Sequence, residues 1–376
     1  MFRNTLLAGF SGMLALLIVS PLAWADDEAG MSYGNVTGMQ HHTNAAASSH
    51  APIGVMGDHM HGQGEWMLSY RYMHMSMDGN LDGNDDISPV TIATTVPNRF
   101  FGMAGQPPTL RVVPTSMDMD MHMFGAMYAP TDWLTLMAMA MWQHKEMEHI
   151  TFAGGAGSAV LGRFTAESNG WGDTSLSGLI KLYRDKTNKV HMNLGISAPT
   201  GQIDQTATVL APNNTTPRLR MPYAMQLGTG TWDLLAGLSY SGHKDQWGWG
   251  AQYTARIPLE NENSEGYAWG DKHSVTVWGS YQWQQWISTS LRLTGTTQDD
   301  IKGIDPNIVA PVQTADPDNY GGTKVDAAFG VNLIAVNGPL ADHRLAFEVS
   351  APLYQDLNGP QLKDDWRFTI GWQKAF

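Results

Sequence analysis

The chain has 376 residues, of which 43% are hydrophobic and only 15% charged, with 40 Gly, 14 Trp and no Cys. An ordinary soluble domain carries about 25% charged residues, so the polar weight here falls on Ser, Thr, Asn, Gln and Gly, a pattern that excludes a charge-rich disordered chain. The absence of Cys excludes a disulfide framework, a zinc ribbon and a thiolate nucleophile, and the net charge of −13 excludes the basic footprint of a nucleic-acid binder.

Residues 1–25 begin Met-Phe-Arg, run through an apolar core from Leu6 to Val19 and end at Ala23-Trp-Ala25. This is the layout of a secretory signal peptide cleaved after Ala25. The core is shorter than the roughly 20 residues that span a bilayer as a helix. Residues 26–63 are rich in Gly, Ala, Ser, His and Met, and form an N-terminal segment that is either flexible or a plug. It carries His41, His42, His50 and the run His59-Met60-His61.

From residue 64 to 376 the hydropathy alternates with period two, the signature of strands with two different faces. Twelve strands are predicted, near 64–77, 115–129, 132–147, 171–184, 188–198, 230–243, 246–258, 272–285, 287–298, 321–335, 342–351 and 364–376. In the last of them Trp366, Phe368, Ile370 and Trp372 share one face, and Arg367, Thr369, Gly371 and Gln373 the other. The connections alternate short and long, with long ones at 78–114, 148–170, 199–229, 259–271, 299–320 and 352–363. An even number of strands joined in this way predicts an all-β fold: a transmembrane antiparallel up-and-down β-barrel with short periplasmic turns and long extracellular loops. The barrel lies in the outer membrane of a Gram-negative bacterium, with lipid around it. Arg71, Lys181, Arg256, Arg292, Arg344, Glu348 and Arg367 are predicted to line its lumen.

The methionines and histidines are uneven. Eighteen of the 23 Met and nine of the 13 His lie between residues 31 and 149. Met73, Met75 and Met77 share one face of the first strand. That face is inward, because Trp66, Leu68, Tyr70 and Tyr72 take the lipid side. Met137, Met139 and Met141 point inward on the third strand. On the second, the polar set Asp118, Asp120 and His122 is predicted inside, with Met117, Met119, Met121 and Met123 facing lipid. Thioether sulfur suits Cu(I), and imidazole suits copper in both oxidation states as well as zinc. Met73, Met75, Met77, Asp118, Asp120, His122, Met137, Met139 and Met141, with His41, His42, His59, Met60 and His61, form the candidate metal set.

The run Pro52-Ile-Gly-Val-Met-Gly-Asp58-His59-Met60-His61, leading into Gly64-Glu-Trp66-Met67-Leu-Ser-Tyr70-Arg71-Tyr72-Met73, resembles the outer-membrane "MetA-pathway of phenol degradation" family of transporter barrels. With the twelve-strand layout, the resemblance covers most of the mature chain. It implies a monomeric channel for small apolar or aromatic molecules. Passive passage is therefore the leading function, with no enzyme activity and no required cofactor. A copper-binding protein of metal uptake, efflux or resistance is the alternative, with copper ions as its partner. The Asn80–Asp86 run resembles part of a calcium loop but lacks the distal Glu, and no Gly-x-Ser-x-Gly nucleophile motif is present.

The mature protein should begin at Asp26. N-terminal sequencing of the membrane-purified chain checks this, and a retained Met1 would contradict it.

Overall fold

The computed structural model describes residues 47–376. The expected signal peptide, most of the expected N-terminal segment, and His41 and His42 lie outside the described residues.

Eleven strand elements close into one antiparallel ring. They are β1 (Trp66–Gly83), β2 (Val112–Thr131), β3 (Leu134–Phe152), β4 (Thr174–Arg184), β5 (Asn188–Ala198), β6 (Asp233–Lys244), β7 (Trp247–Pro258), β8 (Lys272–Gln284), β9 (Ile287–Gln298), β10 (Gly322–Ile334) and β11 (His343–Ala375). Each pairs with the next, and β11 pairs back onto β1, from Met67 opposite Ala375 to Gly83 opposite Leu357. Of the described strands outside the ring, two pair with its members. Asp85–Asp86 pairs with the end of β1, and Val160–Trp171 pairs with β3 beyond the stretch that β4 occupies. Among the described residues, no helix is long and apolar enough to cross a membrane.

The last element needs a closer count. A closed ring whose pairs are all antiparallel must contain an even number of strand passes. At 33 residues, β11 would extend roughly 110 Å if straight, several times the thickness of a bilayer core. Its residues 344–357 pair with β10 and its residues 357–375 with β1. It is therefore a hairpin of two arms, reversing at Gly359, whose φ of +66° is left-handed backbone that favours glycine. Counting both arms gives twelve passes. The loop expected at 352–363 is thus mostly strand. Pro352 sits opposite Asp326, where the β10–β11 register shifts, and Pro360 sits at the reversal, so neither interrupts the ladder.

Alternation sorts the two faces. Outward-facing Leu176, Leu238, Val275, Leu291, Phe329 and Val349 are all exposed. A continuous apolar belt of this kind would aggregate in water and is required in lipid. Trp66, Trp133, Trp247, Trp283 and Trp286, all at least half exposed, lie at the ends of strands beside the short connections, where an interfacial aromatic girdle belongs. Inward, the wall carries buried polar groups. Arg292 and Glu348 form a two-pronged ion pair at 2.6 and 3.1 Å, with both side chains at least nine-tenths buried.

Two outcomes are expected. Arg292→Ala leaves the Glu348 carboxylate buried without its partner. It should lower the unfolding free energy in lipid vesicles by about 3–5 kcal/mol, well beyond the loss from Leu291→Ala on the lipid face; equal losses would contradict the pairing. The chain has no native Cys, so single cysteines report each face. A spin label at Phe124→Cys should be relaxed by lipid-dissolved oxygen and one at Met123→Cys should not, the reverse result placing β2 the other way round.

Candidate functional site

The site is the lumen and the segment that enters it. Residues 47–65 run inside the barrel and touch strands around most of its circumference. The Ala47 amide donates to the Gln285 carbonyl at a short turn. Ser48 donates to Gln282 at 2.8 Å, is hydrogen-bonded to His243 at 2.8 Å, and accepts from Ser280 at its carbonyl. Arg344 donates to the Ala51 carbonyl. Gln252 donates to Met56 at 2.9 Å, and His191 Nε2 donates to the Gly57 carbonyl at 2.8 Å. The His61 amide donates to Thr135 at 3.1 Å. The segment makes no regular structure of its own beyond one turn, so its buried backbone polar groups need these partners. At Gly54 a Cβ would sit 2.2 Å from Glu348 Oε1 and 2.8 Å from Arg292 Nη2, so only glycine passes the ion pair. Ala51 and Val55 pack with Trp278.

Within this segment three imidazoles lie in a row. His50 and His59 have ring centroids 5.3 Å apart, and His59 and His61 5.0 Å. The Asp58 carboxylate accepts from His59 Nδ1 at 2.8 Å and from the Ala51 amide at 3.1 Å. Burial, then the charge on Arg344 and His59, lowers His50 well below the ordinary imidazole range. Burial and its neighbour His59 take His61 down to about 4. Burial would raise Asp58, but His59 beside it and Arg344 hold its carboxyl well below the usual range. A space of about 50 Å³ adjoins the row, bordered by Asp58, His59, His61, Lys181, Lys189 and His191.

The other predicted lumen residues also face inward. Arg71 is buried, as are Arg292, Arg344 and Glu348. Arg256 pairs with Asp233 and Asp173. Arg367 reaches Asp364 at 3.9 Å and donates to the Met75 sulfur at 3.5 Å.

The second strand departs from expectation. Residues opposite one another in a ladder share a face, and β2 pairs Met121 with Met73, Met119 with Met75 and Met117 with Met77. Met117, Met119, Met121 and Met123 are therefore inside, Met117 and Met123 being buried. Asp118, Asp120 and His122 are outside. They join His74, Tyr70 and Tyr72 on the outer surface: Asp120 accepts from Tyr72 at 2.6 Å and pairs with His74 at 2.9 Å, and His122 pairs with Tyr70 at 2.8 Å. These three do not belong to a lumen metal set.

Moving the β2 methionines inside completes a sulfur-lined wall. On β3, Met137 lies opposite Met127, Met141 opposite Met123 and Met147 opposite Met117. Met139 faces the same way and borders an enclosed space of about 20 Å³ with Met67, Met123, Met127, Met137 and His59. Met60 packs against the Met67, Met127, Met137 and Leu179 cluster. At the other end of the wall, Met221 and Met225 descend from the 199–232 connection onto Met117 and Met147. Lys145 holds that connection through the Ala224 and Gln226 carbonyls, at 2.9 and 2.6 Å. The sequence reading passed over Met67, Met127, His50 and Asp58 as site residues. The adjacency of Asp58 to His59 was the available signal for the last.

No family model matches the chain, and no curated protein matches it. Solved structures do. The COG4313 outer membrane channel from Pseudomonas putida is similar with a TM-score of 0.56 at 16% identity, covering 86% of this chain and 99% of that one. A mutant of the TodX monoaromatic hydrocarbon channel gives 0.44 at 9% identity over 84% and 91%. A FadL homologue of Pseudomonas aeruginosa gives 0.39 at 9% identity over 82% and 89%. The chain has the closed antiparallel β-barrel fold of that outer membrane channel.

Proposed function

We propose that the protein is a passive channel for small apolar molecules, aromatic ones included, with the solute path along the methionine wall of β1, β2 and β3. The carrying observation is that wall. The lumen of an outer-membrane barrel is ordinarily polar, yet here Met67, Met123, Met127, Met137 and Met139 border an inner space beside His59. Thioether side chains are apolar, polarizable and unbranched, and they give favourable contacts to aromatic rings of varied shape. Elsewhere on the inner wall, Arg344 holds the N-terminal segment through the Ala51 carbonyl, and the Arg292–Glu348 pair borders it at Gly54. That segment is the constriction a solute must pass, and its release opens the path. The resemblance of residues 52–73 to the phenol-degradation transporters agrees with an aromatic solute.

A second reading draws on the same wall. Soft sulfur donors also suit Cu(I), so a barrel that handles copper would use the same residues.

Flux into proteoliposomes separates the two. Toluene or phenol entry should exceed that of an equally small sugar. Removing residues 47–61 should raise ionic conductance in planar bilayers several-fold. Met123→Asn with Met139→Asn should lower aromatic flux while leaving ionic conductance of the shortened chain in place. No aromatic flux with or without the segment would overturn the channel reading.

A further inference from the structure

The imidazole row has a chemistry that a solute channel does not use. Ligand atoms of His50, Asp58 and His59 all lie within 4.8 Å of one another. Metal bonds to His and Asp are about 2.0–2.2 Å, so two donors on one ion are at most about 4.4 Å apart. Small side-chain rotations close the difference. A second observation points the same way. His61 is 8% exposed, and its Nε2 is buried with no hydrogen-bond partner among the described residues. His50 Nδ1 is in the same condition. Buried imidazole nitrogens are normally satisfied, and two unsatisfied ones flank His59 in the same short segment. The adjoining space gives an ion room to arrive.

We propose that His50, Asp58 and His59 bind one divalent transition-metal ion of the imidazole-seeking class, Cu²⁺ or Zn²⁺, and that the ion closes and stiffens the loop that residues 50–59 make inside the lumen. Two nitrogens and one carboxylate oxygen form a three-ligand set with an open position. A candidate for that position is His61, whose ring centroid is 5.0 Å from that of His59 and whose Nε2 has no hydrogen-bond partner among the described residues. The ion would join residue 50 to residues 58–59, closing the loop that already bonds Asp58 to the Ala51 amide. Lys181 and Lys189 border the space and oppose a cation, so affinity rests on the direct ligands. The proposal stands apart from the solute reading and from the sulfur wall.

The test is calorimetric titration of the folded full-length mature chain in detergent with ZnCl₂ and with CuCl₂ against a competing chelator. One ion per chain is expected. His50→Ala with His59→Ala should weaken binding at least 100-fold, with heat-modifiable gel migration retained; His50→Gln with His59→Gln serves if the alanine pair fails to fold. Met137→Leu with Met139→Leu should leave affinity unchanged. The Cu²⁺ resonance spectrum of the unmodified chain should show nitrogen coupling from at least two imidazoles. A spin label at Met56→Cys should lose mobility on adding Zn²⁺. Binding no tighter than in the double variant overturns the site, as does binding lost only in His41→Ala with His42→Ala. An ion that binds without slowing the label overturns the stiffening role. Aromatic flux on the same preparation decides the channel separately: a barrel that passes solute and binds no ion loses only this proposal.

Discussion

Hydrocarbon offers a backbone no hydrogen-bond partner, and an unsatisfied amide there costs several kcal/mol. Every strand must have two neighbours, so the sheet must close. If all its pairs are antiparallel, the number of passes must be even. That single constraint explains why β11 doubles back at Gly359 and why the chain ends beside where β1 begins. Closure also fixes register all the way round, and register decides which side of each strand sees the lumen.

A closed lumen creates a second demand. Once residues 47–65 lie inside, their own carbonyls and amides lose water. The inner wall answers with side chains: Ser280 to Ser48, Arg344 to Ala51, Gln252 to Met56, His191 to Gly57, Thr135 to His61. Each such bond averts a desolvation cost of about 1–3 kcal/mol. The polar inner face is therefore more than a lining for water. Much of it serves as the complement of one particular segment, and Gly54 lets that segment pass beside the Arg292–Glu348 pair without separating it.

The belt, the strand order and most strand positions were legible in the sequence, because period-two alternation is imposed by the lipid on every pass. Residues 188–198 and 287–298 are strands over the predicted spans. What alternation cannot show is which residue lies opposite which. The placement of Asp118, Asp120 and His122 failed for that reason: on β2 polar and apolar residues alternate, and only pairing with β1 decides between the two faces. The 352–363 connection was hidden because apolar alternation lapses there, yet its residues still pair with β10 and β1. The imidazole row was hidden for another reason. His50 and His59 are nine positions apart in a segment without periodicity, so their meeting depends on a fold that the barrel wall imposes.

The misplaced β2 residues also mark where the membrane ends. At the usual tilt, the 18 residues of β1 climb roughly 40–50 Å, whereas the apolar band of such barrels is about 25 Å tall. The outer part of the strand must stand above the lipid. Along β1 the sidedness inverts accordingly: Trp66 and Leu68 face out with Ser69 and Arg71 inside, then His74 and Ser76 face out with Met75 and Met77 inside. On β2, Phe124 and Tyr128 face out below, and His122, Asp120 and Asp118 above. Trp366 against His74 and Trp142 against His122 stand at the change-over, the depth at which indole rings settle. Above that line the wall obeys the rule of a soluble sheet, polar toward water and apolar toward a core. The core there is the thioether cluster of Met117, Met147, Met221 and Met225 under the outer connections. The inward methionines of the upper strands are thus explained by packing. Those beside His59 lie below the line, in the part of the lumen where a polar lining is the norm, and there they meet Met60 of the inserted segment.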